Sequence, residues 1–493
     1  MLKNYILFIV VLCFFKSFSQ KNVFIGRDFW KTNPTIAEID KKIKEGNSAS
    51  ALNRFGFDAV VYSLLENATP ETTLYLLSKE GNDVNKLTHD GRTYIFWAAY
   101  KNNSTIVKYL LENGAKTDIL DDKGYSLMNF TAIGGVQNTD LYDLFIENGA
   151  DVLKQKTPKG ANPLLLIASS LDDFKMIDYF TSKGLSINDT DNDGNGIFNY
   201  TALKENRKML ELLINKGVPY KQLNRNSGNA MLFATRGSRR GYNSLDYFKY
   251  LESLGISPNT VNKKGENPLH NLASSNKDLN TFNYFINKGG NVNQADMKGN
   301  TPLLLATKRN SLETVSLLLK NSTDINYTNK KGYSALTNAL QNETTVVEFL
   351  LSKGADATVI DAKGNNLIYH LFKSFTPKQL DGFNKKLTLL NNNGLPITST
   401  QKDGTTPYHI AVQKNSIELL DIIKNHDIDI NLKNKKGLTA LQLAVMTAKD
   451  HKIIKQLIKY GATKNVTTDF NETLYDLAKE NEALTNTDIS YLQ

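Results

Sequence analysis

The chain has 493 residues, of which 40% are hydrophobic and 22% charged, with 11 prolines and one cysteine, Cys13. That composition supports folded structure, and it excludes a proline-rich linker, a disulfide framework, a thiolate zinc site and an iron–sulfur cluster. The formal net charge is +9 and comes mostly from lysine, since only nine arginines occur. The length exceeds one ordinary domain and calls for several domains or one repeat array.

In chain order, Lys3 precedes an apolar run from Tyr5 to Phe15, and Ser17-Phe18-Ser19 places small residues at −3 and −1 of a cut before Gln20. This pattern predicts a secretory signal peptide over residues 1–19. The run of about 11 residues is short against the ~20 needed to span a bilayer. An uncleaved anchor is one alternative. A lipid on Cys13 is another, but Val10-Val11-Leu12 lacks the small residue that such processing requires. No later run reaches spanning length. The expectation is an exported chain, periplasmic or extracellular, and export disfavours nucleic acid as a partner.

Residues 20–53 hold a segment outside any pattern, Asn22–Lys31, and then one amphipathic helix near Ile36, expected to close the N-terminal end of a repeat array. From residue 54 the chain repeats. The segments Gly265-Glu266-Asn267-Pro268-Leu269-His270, Gly299-Asn300-Thr301-Pro302, Gly404-Thr405-Thr406-Pro407-Tyr408-His409 and Gly437-Leu438-Thr439-Ala440 share one grammar. It recurs at Gly56, Gly91, Gly124, Gly160, Gly194, Gly228, Gly332 and Gly364, with Asn471 in the glycine position of the last copy. Anchor spacings run from 32 to 40 and centre near 33. About 23 residues after most anchors comes a second glycine, preceded by apolar triads such as Val107, Leu110 and Leu111 or Ile454, Leu457 and Ile458.

The grammar has a physical reading. A turn closes on a glycine that takes positive φ at no steric cost. Thr301, Thr406, Asn162 or Asn267 then caps a helix whose first residue is Pro302, Pro407, Pro163 or Pro268. A second helix comes next, with one apolar face and a glycine C-cap. One such pair cannot bury its face alone, whereas stacked neighbours can.

Period and grammar together resemble the ankyrin repeat. The resemblance covers residues 54–469 as an array and 470–493 as a C-terminal cap. It implies an all-α solenoid of about 12–13 helix-turn-helix units with short projecting β-hairpins. It also implies a non-catalytic scaffold, without cofactor, that binds a protein on its concave face and hairpin edge. The two long units, from Gly228 and from Gly364, are expected to carry their extra residues as loops.

No phosphate-binding loop, Gly-x-Ser-x-Gly, His-Glu-x-x-His or dinucleotide fingerprint occurs. An enzyme would need a novel site in the 364–404 insertion. His270 and His409 fall where the resemblance implies a structural histidine, and His370 is one residue out of that register. Tyr100, Tyr125 and Tyr333 fall where the resemblance places the concave face and tips, and with Lys101, Lys308 and Arg309 they are candidate partner contacts.

Asp189, Asp191 and Asp193, followed by Gly194, match half a calcium loop, but Tyr200 replaces the expected glutamate and the segment is also a turn of the array. Arg236, Arg239 and Arg240 cluster between two helices as a candidate anion site or a solvated loop. Lysines recur at successive tips: Lys123, Lys159, Lys263, Lys264, Lys298, Lys330, Lys331, Lys363, Lys402, Lys435 and Lys436. They read either as ordinary solubilising turn residues or as a basic edge. Such an edge steers an acidic protein or an envelope polyanion. The expected molecule is a monomer with an unidentified protein partner.

Overall fold

The computed structural model describes residues 22–238, 241–484 and 487–493. The expected signal peptide at 1–19 and the side chains of Arg239 and Arg240 lie outside the described residues. The chain divides into two compact units, one ending at Tyr220 and one running from Lys221 to Gln493.

Each unit is a succession of short helix pairs. First helices include Tyr94–Tyr100, Pro302–Ala306 and Pro407–Lys414, and second helices include Ser104–Glu112, Thr344–Ser352 and Lys452–Lys459. The caps are those the grammar requires. Thr301 accepts from the Leu304 N–H, Thr406 from His409 and Asn162 from Leu165, each with proline in the first turn. First helices are buried nearly all round; Tyr94 to Ala99 are all buried. In the second helices Val107 and Leu110 are fully buried, and so is Ile106, which the triad pattern omits.

The segment outside the repeat pattern closes the N-terminal end. Val23–Ile25 forms a 3-10 turn and Arg27–Lys31 a helix. Phe24 packs against Trp30 (centroids 5.8 Å apart), whose indole N–H donates to the Phe24 carbonyl at 2.9 Å. This plug sits on the helix Ala59–Leu65. At the other end, His451 bonds the Tyr491 hydroxyl (2.7 Å) and the Thr487 hydroxyl (2.8 Å), fastening the last turn to the helix Lys452–Lys459.

Three expectations are corrected. The tips are turns rather than β-hairpins: among the described residues there is no strand, only isolated bridges such as Leu120 with Ser126. Each tip closes on itself as a tight turn, as where Asp361 N–H donates to Asn365 O (2.8 Å) and Gly364 N–H to Asp361 O (2.9 Å), and a further N–H of the tip bonds to the neighbouring tip instead of extending a ladder. Asn192 N–H donates to Lys159 O (2.9 Å), Met297 to Lys264 (2.8 Å), Lys330 to Lys298 (3.0 Å), Ala362 to Lys331 (2.9 Å) and Lys435 to Asp403 (2.9 Å).

Second, the anchor of the unit assigned to Gly228 is Ser227, at φ 58°; there Ser227 N–H donates to Asn224 O as Gly265 N–H does to Asn262 O. Third, only one of the two long units ends in a loop. The described extra residues after Ala234 are outside helices, with an isolated bridge between Ser238 and Gly241, whereas those after Gly364 lengthen helices, giving Leu367–Ser374 and the 13-residue Leu380–Asn392.

Anchor glycines answer to two demands at once. Gly332 has φ +76°, and a Cβ there would lie 2.6 Å from Ala362 N and 2.8 Å from Asp361 Cα, the next tip's backbone. Gly354, in the same unit, has φ +88° and open space around it. Gly354→Ala should therefore cost only the left-handed penalty of about 1–2 kcal/mol, while Gly332→Ala costs distinctly more. Urea unfolding of the two variants measures the difference, and equal losses would show that the tip contact contributes nothing.

The structural histidine position explains four orphaned atoms. His409 Nε2–H donates to the Leu438 carbonyl of the next tip (2.9 Å), and its Nδ1 accepts from the Thr406 hydroxyl (2.7 Å). Where Phe96 replaces that histidine, Thr93 Oγ1 has no partner; where Gln442 does, its Nε2 has none; where Asn129 does, both amide atoms are unsatisfied. Each buried unpaired group costs about 1–3 kcal/mol. Asn129→His, which restores the longer side chain, is expected to raise the denaturant midpoint, as read by chemical unfolding.

Candidate binding surface

Six successive tips of the unit 221–493 carry lysine: Lys263 and Lys264, Lys298, Lys330 and Lys331, Lys363, Lys402, and Lys435 and Lys436. All nine are exposed. None of them takes part in an ion pair among the described residues. The backbone bonds between tips fix the spacing of these charges, while Asn262, Asn329 and Asn434 hold each turn by accepting the N–H groups two and four residues on. The unit ending at Tyr220 differs. There Lys123 pairs with Asp90, which also bonds Arg92, and the tips carry Asp90 and Asp122.

The other candidates fall into distinct roles. Lys101 Nζ donates to the Leu65 carbonyl at 2.9 Å and so caps the end of the preceding first helix. Tyr100 is exposed and stacks obliquely on Phe130, centroids 5.3 Å apart. Tyr125 is half-buried beside Asp121, whose carboxylate accepts its N–H at 2.8 Å. Tyr333 is half-buried with its ring edge-on to His370 at 5.0 Å, and burial pushes its phenol pKa up. Lys308 and Arg309 are exposed at the end of Pro302–Ala306. Arg236 lies over the Phe233 ring at 3.9 Å.

The three aspartates do not converge. Asp191 accepts the N–H groups of Asp193 (3.0 Å) and Asn195 (2.9 Å) and the Tyr200 hydroxyl (2.9 Å), while Asp189 accepts from Asn162 (2.8 Å) and Ser186 (3.0 Å). Among the described residues no group of three or more His, Cys, Asp or Glu side chains is placed to hold a metal ion.

Exposed aliphatic residues also recur at one position of the repeat. The residues four before the turn's left-handed position include Leu87 (63% exposed) and Leu120 (60%) in one unit, and Leu223 (57%) and Ile360 (56%) in the other. Aligning the repeats on their anchors places these residues in one column. Large aliphatic residues at a position that faces solvent are the signal that identifies it.

Burial favours the neutral ring at three of the five histidines of the second unit. Burial lowers the pKa of His270, His370 and His409 below the ordinary histidine value. An unfolded chain takes up these protons near pH 6.5, before the folded one does. The stability these rings confer is therefore complete above about pH 6.5 and declines as the pH falls further. The urea midpoint should be lower at pH 5 than at pH 7.5, and His270→Gln with His409→Gln should narrow that difference while lowering both midpoints.

Stacked helix pairs with exposed tips bonded one to the next within each unit define a repeat-type interaction scaffold. The chain belongs to the ankyrin repeat family, whose three-copy pattern matches residues 39–121, 61–156, 231–329, 269–361 and 380–468, together more than half of its length. It is 24% identical over 380 residues to an ankyrin repeat protein of Acanthamoeba polyphaga mimivirus, covering 74% of this chain and 46% of that one. It is 30% identical over 184 residues to the nuclear factor NF-kappa-B p105 subunit of Gallus gallus, covering 36% of this chain and 18% of that one. The chain thus spans less than half the length of these two relatives. Among solved structures, the human ASB11 ankyrin repeat domain aligns with 21% identity and a TM-score of 0.37, over 45% of this chain and 97% of that one. Ankyrin arrays are protein-interaction scaffolds and generally carry no catalysis. No helix among the described residues is long and apolar enough to cross a membrane.

Proposed function

We propose that this chain is an exported, non-catalytic scaffold that binds an acidic protein partner on the tip edge and adjoining concave face of residues 221–493. The observation that carries this reading is the row of nine exposed tip lysines, spaced by backbone hydrogen bonds and free of ion pairs among the described residues. Neighbouring tips lie within about one Debye length, ~8 Å at physiological salt, so their fields reinforce one another. Such an edge speeds encounter and rejects basic surfaces. Export is supported by the charged, apolar and small-residue pattern of residues 1–19, and amino-terminal sequencing of the exported chain should begin at Gln20.

The same row favours a second reading, an envelope polyanion bound by counterion release. Salt separates the two. Polyanion affinity falls steeply and linearly in log salt, by about 10³ or more between 50 and 200 mM for six or more contacts, whereas a protein interface with an apolar centre keeps most of its affinity. Capture from envelope extract at low and high salt, with wild type and with Lys330, Lys331, Lys435 and Lys436 changed to Gln, makes the test. A defined protein retained at high salt supports the scaffold. Glycan or lipid retained only at low salt, and lost with the lysines, overturns it.

A further inference from the structure

The unit lengthened after Gly364 encloses a cleft of about 510 Å³. One wall is the helix Leu380–Asn392 with the turn before it, and the other is the turn at 340–344 together with Arg309. Leu371, Phe375 and Phe383 contribute its apolar lining.

The cleft lies where a ladder of hydrogen bonds between units changes its donor. In the units before it, an asparagine after the first helix donates to carbonyls of the preceding unit: Asn310 to Ala273 (2.9 Å) and Asn276 (2.8 Å), and Asn342 to Thr307 (3.0 Å) and Asn310 (2.9 Å). The next rung has no asparagine. Lys386, buried in the long helix, reaches back instead, donating to the carbonyls of Leu340 (3.0 Å) and Asn342. Lys386 and the turn it bonds both line the opening.

The charges of this cleft are unbalanced. Lys386 is committed to carbonyls. Lys373 is half-buried with its ammonium 5.5 Å from the Tyr369 ring, and Arg309 is exposed at the wall. Neither Lys373 nor Arg309 has a carboxylate within ion-pair distance among the described residues. Lys414, which donates to the Lys373 carbonyl at 2.6 Å, adds a further positive charge behind it. Burial first, and Lys414 second, lower the Lys373 pKa. The one acid lining the cleft, Glu343, is exposed and forms no ion pair among the described residues.

We propose that this cleft is a docking site for an acidic segment of a partner protein, whose carboxylate pairs with Lys373 and Arg309 inside the opening. A half-buried cation without a counter-charge is costly in the free protein, and pairing it removes that cost. The site rests on the scaffold reading but not on the tip lysines, so the two surfaces fail separately.

The test uses the chain 20–493 and a fluorescein-labelled hexaglutamate peptide, followed by fluorescence anisotropy, with carbodiimide coupling and mass spectrometry to locate the bound carboxylate. Lys373→Met and Arg309→Gln are each expected to weaken binding at least tenfold with unchanged thermal midpoints, and the coupled lysine is expected to be Lys373. The four-lysine tip variant should leave coupling at Lys373 in place. Loss of binding in the tip variant alone, with Lys373→Met behaving as wild type, overturns the cleft while leaving the scaffold reading intact. Competition by free phosphate or free glutamate as strong as by unlabelled hexaglutamate overturns the peptide assignment in favour of a small-anion pocket. Absence of any hexaglutamate binding overturns the proposal outright.

Discussion

The backbone hydrogen bond from one tip to the next is the constraint on which the array depends. It brings two peptide units within 2.7–3.0 Å at successive tips. An approach that close leaves little room for a Cβ at anchors such as Gly265 and Gly332, and the turn that delivers it demands positive φ. Glycine alone meets both demands without strain. The caps, the proline and the buried first helix are consequences, because once the turn is fixed the next residues already stand at a helix start. A surface built this way enters binding with its spacing already set, so little ordering entropy is lost on association.

The period, the caps and the inward face of each second helix were legible because they depend on residues within one unit. Where the determinant was a neighbour, the sequence was silent. Asparagine and serine tolerate the left-handed turn when polar contacts support it, so Ser227 took the anchor beside a glycine of matching spacing, Gly228. The aromatic plug of Phe24, Phe29 and Trp30 carries no repeat signature and acquires meaning only against the helix it covers. Lys101 read as a contact residue, but a long side chain at a helix end has a free carbonyl within reach in the preceding unit. The apolar column at Leu87, Leu120, Leu223 and Ile360 was readable in principle, since alignment on the anchors suffices to find it.

The interior shows that the repeat motif is a rule of hydrogen-bond accounting rather than of shape. Thr406 and His409 satisfy each other and a carbonyl of the next tip. Phe96, Asn129 and Gln442 fill the same place with acceptable volume, yet leave Thr93, Asn129 and Gln442 with unpaired atoms. The array tolerates such defects because each is confined to one unit and its neighbour, and the remaining interfaces are intact. The Asn-to-Lys exchange at Lys386 obeys the same accounting: the carbonyls must be met, and a lysine meets them from farther away.

That exchange bears on how the two charged surfaces divide their labour. A tip lysine sits on an ordered backbone, but its ammonium swings on a flexible, hydrated stem. A row of such groups attracts acidic partners over a Debye length and fixes little about their orientation. Orientation requires groups that are partly dehydrated and immobile, because only there does a misplaced contact cost more than water can return. Among the cations of residues 221–493, Lys373 combines partial burial with the lack of an ionic partner, and it stands in a concave site rather than on an edge. In the reading proposed above, the row gathers and the cleft selects. A partner that engages only the row should be exchangeable for any polyanion, whereas one that also fills the cleft should not.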